Sequence, residues 1–104
     1  MKTTSVALAA ITTAVMTTAA LAADVEHGER LARQWCSNCH LVGGEQSTGG
    51  DTAPTFASVA ENAAERSDDL RAWLADPHPP MPNLNLTINE IDDLLAYIES
   101  LNTE

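Results

Sequence analysis

Cys36-Ser37-Asn38-Cys39-His40 is the stretch on which the reading of this 104-residue chain turns. Two cysteines at this spacing suit three chemistries. One is a redox dithiol, which exchanges with other disulfides and belongs in a βαβ setting. The second is half of a zinc site, which needs two further ligands. The third is covalent haem attachment, for which a histidine must follow the second cysteine directly. In that case the two thiols reach the two vinyl groups of one porphyrin, and the histidine lies under the iron as an axial ligand. No β-strand is legible in the flanking sequence, and His27 and His78 are the only other histidines, with no further cysteine. A plain disulfide would close a very short loop and add little stability. The motif therefore points to haem, held through Cys36 and Cys39 with His40 on the iron.

The rest of the chain suits that reading. Met1-Lys2 gives a short positive start, and Val6 to Ala22 is free of charge and rich in Ala, Leu, Val and Thr. Ala20-Leu21-Ala22 offers the small residues of a cleavage site. Residues 1–22 read as a secretory signal peptide cut before Ala23, which sends the domain of residues 23–104 to the periplasm. With Thr12, Thr13, Thr17 and Thr18 interspersed, the segment is marginal for a span of about 20 apolar residues. Uncleaved, it would be an N-terminal anchor; cleaved, it leaves no stable membrane insertion.

The whole chain carries 15 acidic and 5 basic side chains and a net charge of −10. Without the leader, Arg30, Arg33, Arg66 and Arg71 face all 15 acids, a balance of −11 with no lysine. Such a surface argues against nucleic acid and against anionic membranes as partners. A domain of this size with four aromatics, Trp35, Phe56, Trp73 and Tyr97, is marginal without a staple or a cofactor.

The hydrophobic spacing predicts an all-α domain of four to five short helices around one covalently attached haem. Asp24 is placed to cap a helix reaching about Trp35, with Val25, Leu31 and Trp35 as its apolar positions. Gly43 to Gly50 reads as a polar, flexible loop. Thr55 caps a short helix bearing Phe56, Val59, Ala60 and Ala63. Ser67 is expected to cap the next, which carries Leu70, Trp73 and Leu74 and stops at Pro77. Thr87 and Glu90 form a capping box for the last helix. Its stripe is Ile88, Ile91, Leu94, Leu95, Ile98 and Leu101. Asp92, Asp93 and Glu99 fall off that stripe.

A haem iron bound by histidine is left open or closed by a second axial ligand. Met81 is the sole methionine of residues 23–104 and sits between Pro80 and Pro82, outside any apolar stripe. It is the leading candidate, and His78 is the rival. His27 is expected to face solvent from the first helix.

Taken together, Cys36 to His40, Ala53-Pro54, Pro80-Met81-Pro82 and Asp93-Leu94-Leu95-Ala96-Tyr97 resemble a small bacterial class I cytochrome c. The resemblance covers residues 24 to 102. It implies thioethers at Cys36 and Cys39 and a proximal His40 whose Nδ1–H bonds the Pro54 carbonyl. It implies Met81 as the distal ligand, and Gly28 as the glycine that lets the first helix cross the last at Leu94 and Tyr97. It leaves Trp73 between a haem-propionate contact and a core position. The function so implied is one-electron transfer in the periplasm, not enzymatic catalysis, as a free carrier or as the cytochrome subunit of a respiratory or dehydrogenase system. Its partners would be redox proteins with a basic or apolar docking face. The competing classes are a five-coordinate haem enzyme or gas binder, and a zinc or dithiol module.

Overall fold

The computed structural model describes residues 2–15, 22–44, 46 and 52–102. Residues 2–15 are exposed and carry no regular secondary structure. Most of the expected cleavage region and of the polar loop after Gly44 lies outside the described residues. No helix among the described residues is long and apolar enough to cross a membrane.

Four α-helices and one π-helical turn make up the ordered elements, with no strand among the described residues. They are α1 (Val25–Leu31), running into the π turn Ala32–Cys36, α2 (Phe56–Ala60), α3 (Ser67–Ala75) and α4 (Ile88–Ser100). The domain is all-α, as the sequence predicts.

The α4 helix forms where its sequence says it should. The Thr87 side chain accepts from the Glu90 N–H and the Glu90 carboxylate accepts from the Thr87 N–H, closing the capping box. Ile91, Leu94, Leu95, Tyr97 and Ile98 are buried along one face. Ile88, the first residue of the expected stripe, is 76% exposed.

The α1 helix is capped by Asp24, whose side chain accepts from the His27 N–H. It crosses α4 at Gly28. A Cβ built on Gly28 would lie 2.0 Å from the Asp93 carbonyl oxygen and 2.9 Å from Tyr97 Cβ, so only glycine permits this approach. The contact falls on Asp93 and Tyr97, while Leu94 is buried beside it.

Three expectations about the helices need correction. Trp35 is 51% exposed and Val25 is exposed as well, whereas Leu31, Ala32 and Cys36 are buried. The π turn explains this, since its wider i→i+5 closure rotates the chain so that Cys36, not Trp35, follows Leu31 inward. Ser67 lies inside α3; the capping position is Arg66, with no side-chain hydrogen bond. The α2 helix keeps its expected Thr55 cap, which accepts from the Ser58 N–H.

His27 does not simply face solvent. Its Nδ1 is 2.6 Å from Asp93 Oδ2, and the other Asp93 oxygen accepts from the Asp24 N–H at 2.8 Å. Both ends of α1's first turn are thereby tied to α4. These contacts hold the Asp93 carboxyl below its ordinary range, the His27 bond first and the Asp24 N–H second.

Candidate functional site

The motif begins where the π turn ends. After Cys36 the chain closes a tight turn, with the His40 and Cys39 N–H groups both donating to the Cys36 carbonyl, at 2.9 and 3.3 Å. The Ser37 hydroxyl donates to the Arg33 carbonyl at 2.6 Å and seals the end of the helix. Cys36 is buried and Cys39 exposed, and both thiols are free.

His40 is oriented by one short contact. Its Nδ1 lies 2.6 Å from the Pro54 carbonyl oxygen, as the resemblance implies. A carbonyl only accepts, so Nδ1 carries the proton, and the neutral ring then has its lone pair on Nε2. The ring also packs near Phe56, centroids 5.3 Å apart, and Phe56 in turn near Tyr97 at 6.4 Å. The Phe56 N–H donates to the Leu41 carbonyl and the Tyr97 hydroxyl to the Val42 carbonyl. The segment following the motif is thus stitched to both α2 and α4.

Gln46 is the residue that sequence reasoning missed here. Its side-chain Oε1 accepts from the Val42 N–H at 2.8 Å. Its Nε2 donates to the Ser37 and His40 carbonyls, each at 3.0 Å. One amide therefore satisfies three backbone groups around Cys36 to His40. The expected polar, flexible loop contains this structural strut. The sequence offers one faint cue, that Gln46 is the only side-chain amide between Gly43 and Gly50.

Met81 is partly buried and stands on the far side of α3 in sequence, in a turn where its N–H donates to the His78 carbonyl at 3.1 Å. Trp73, on α3, is 42% exposed and so is not a core residue. Its indole N–H donates to Met81 Sδ at 3.1 Å, and its ring stacks on exposed His78, centroids 4.9 Å apart with 24° between planes. With its only donor engaged by sulfur, Trp73 has none left for a propionate in this arrangement.

A cavity of about 250 Å³ adjoins the Pro54 end of the site, lined by Pro54, Val59 and Leu70 with Asn62 and Arg66 among its polar residues. A larger one, about 630 Å³, lies at the α1–α4 crossing among Asp24, Arg71, Asp92 and Asp93, and shares no residue with the motif.

The donor set discriminates among the candidate chemistries. Among the described residues no three His, Cys, Asp or Glu side chains converge on one point, as a zinc site would require. Burial pushes the Cys36 thiol up to about 11, whereas a reactive dithiol needs a lowered pKa. A thiol pair just ahead of a histidine with a fixed ring and a free Nε2, together with a separate thioether at Met81, fits a c-type haem.

The comparisons agree with this geometry. The profile of the family described as Cytochrome c matches residues 25–102. A protein of Bradyrhizobium diazoefficiens, Cytochrome c-552, is 46% identical over 82 residues, covering 79% of this chain and 79% of that one. No solved structure matches. The match spans everything from the Asp24-capped helix to the end of α4, including the Cys36–His40 turn, Pro54, Met81 and Tyr97, and so this chain belongs to the cytochrome c family.

Proposed function

We propose that this protein is a periplasmic one-electron carrier that holds a single haem c through thioethers at Cys36 and Cys39, with His40 and Met81 as axial ligands. The observation that carries the reading is the 2.6 Å contact from His40 Nδ1 to the Pro54 carbonyl, which commits one ring nitrogen to the protein and leaves the other for iron. Bound haem would supply an iron centre that changes oxidation state by one electron. Cys36 and Cys39 fix the group on the polypeptide, and Pro54 holds the imidazole. Met81 offers a neutral sulfur, which favours the reduced state and a higher potential than a second histidine would give. With both axial positions filled by protein, no place is left for substrate or oxygen, which favours electron transfer over the five-coordinate alternative.

Three of the four arginines in residues 23–104 are engaged by acids. Arg33 meets Glu29 at 2.9 Å, Arg66 meets Asp69 at 3.5 Å, and Arg71 pairs with Asp92. They offer no basic ring to counter the acidic surface, which supports a redox partner with a basic docking face. Electron-transfer rates with such a partner are expected to fall as salt rises, and rates with an acidic partner to rise.

In this reading residues 1–22 are removed on export, so mass spectrometry of the exported protein should find Ala23 at its N-terminus. The function itself is tested by expressing the full chain with haem-maturation machinery and denaturing the product. Haem colour should stay with the unfolded polypeptide and be absent from C36A/C39A. Haem that washes away, or colourless protein, would return the motif to zinc or dithiol chemistry.

A further inference from the structure

The Trp73 side chain touches both candidate distal ligands. It lies on α3, whose Leu70 and Leu74 pack against the core while the indole stays 42% exposed. A surface indole would ordinarily give its N–H to water. Here that N–H points at a weak acceptor, Met81 Sδ, at 3.1 Å, while the ring face is covered by the His78 imidazole at 4.9 Å and 24°.

The two contacts act in opposite senses. A thioether sulfur has two lone pairs. The indole N–H occupies one of them and orients Met81, leaving the other as a donor. The stack lays the His78 ring against α3 on the exposed side of the segment. His78 is only three residues from Met81, and the turn that joins them brings their backbones within hydrogen-bond distance. Imidazole is a stronger iron ligand than a thioether, so a chain that carries both so close together needs something to decide between them. We infer that Trp73 is a positioning residue that selects Met81 over His78 as the distal ligand, through its N–H on the sulfur and its ring face on the imidazole. The inference rests on the reading of Met81 as a haem ligand. A second consequence follows from the same bond: an N–H on the sulfur draws electron density from it and raises the reduction potential.

The experiment uses the haem-loaded mature protein at one pH and reads the oxidised absorption spectrum, electron paramagnetic resonance and the reduction potential. Trp73→Phe keeps the stack and removes the N–H. It should retain the methionine–iron charge-transfer band and lower the potential. Trp73→Ala removes both contacts. Its band should be replaced by the low-spin signature of two nitrogen ligands, and the double variant W73A/H78N, with the rival removed, should recover the methionine band. An unchanged potential in W73F overturns the inference, as does a W73A protein that keeps the methionine band or turns high-spin with His78 present. If W73A does not fold, W73F with H78N, which alone should leave the spectrum unaltered, still decides. Failure of the underlying reading looks different: the unaltered protein itself would lack the methionine band.

Discussion

The α1–α4 crossing and the Trp73–Met81 segment are held in different ways. At the crossing, polypeptide packs on polypeptide: Gly28 sits on the Asp93 carbonyl, Leu94, Tyr97 and Ile98 are buried, and His27 and Asp24 both bond the Asp93 carboxylate. In the second region α3 has no fully buried residue. Met81 is tethered by one N–H to its sulfur and one backbone bond. One region is closed by chain packing on chain; the other is held by a few polar contacts. The difference teaches that the crossing rests on its own packing and the Trp73–Met81 segment much less so, which is the pattern expected if haem, as proposed above, completes the core of so small a domain.

The largest effect should come from withholding haem. In C36A/C39A, far-ultraviolet circular dichroism should show most native helix lost and no cooperative melting. Amide exchange should find residues 67–82 the least protected. Native-like helix content with a sharp melt would break the comparison, because both regions would then stand without the group.

Next in size is Gly28→Ala in the haem-loaded protein. The added methyl would lie 2.0 Å from a backbone oxygen, which cannot rotate away as a side chain can. The helices must separate, with a loss of about 3 kcal/mol, the upper end of ordinary overpacking. The denaturation midpoint reads it. The distal ligand should be unaffected, so the methionine band should persist in the folded fraction.

A smaller, pH-dependent effect belongs to the polar tie. Asp93 is held below its ordinary pKa, so its contribution is present at neutral pH and is lost as pH falls below about 4 and on through the depressed value. His27 is partly exposed, so screening limits the contribution to about 1 kcal/mol or less. Asp93→Asn should therefore be slightly less stable than the unaltered protein at pH 7, and the gap should close in acid. A gap that stays constant with pH would mean that the carboxylate charge plays no part at the crossing.

Much of this was legible in the sequence, and the parts that were not share a cause. The α4 helix announces itself through Thr87, Glu90 and a long apolar stripe, all local signals. Cys36 to His40 is equally local, because the spacing itself is the chemistry. The π turn was not legible: whether five or four residues close a turn is settled by what Cys36 and Trp35 meet in the fold, and Trp35 looks as apolar as any core residue. His27 and Asp93 lie 66 positions apart, and their pairing exists only once Gly28 has let the helices touch. Gln46 was hidden by its glycine-rich neighbours. Trp73, His78 and Met81 were each visible singly, but three residues spread across a proline-rich stretch do not disclose which faces which.

The central claim is that His40 and Met81 together close the iron of a covalently held haem. The most direct test is the absorption spectrum of the oxidised mature protein beside that of Met81→Ala. The unaltered protein should be low-spin with a methionine–iron charge-transfer band at the red end of the visible range. Met81→Ala should keep its haem, lose that band, turn high-spin and show a lower reduction potential. A high-spin spectrum in the unaltered protein would contradict the account, and so would a low-spin spectrum and potential that Met81→Ala leaves unchanged.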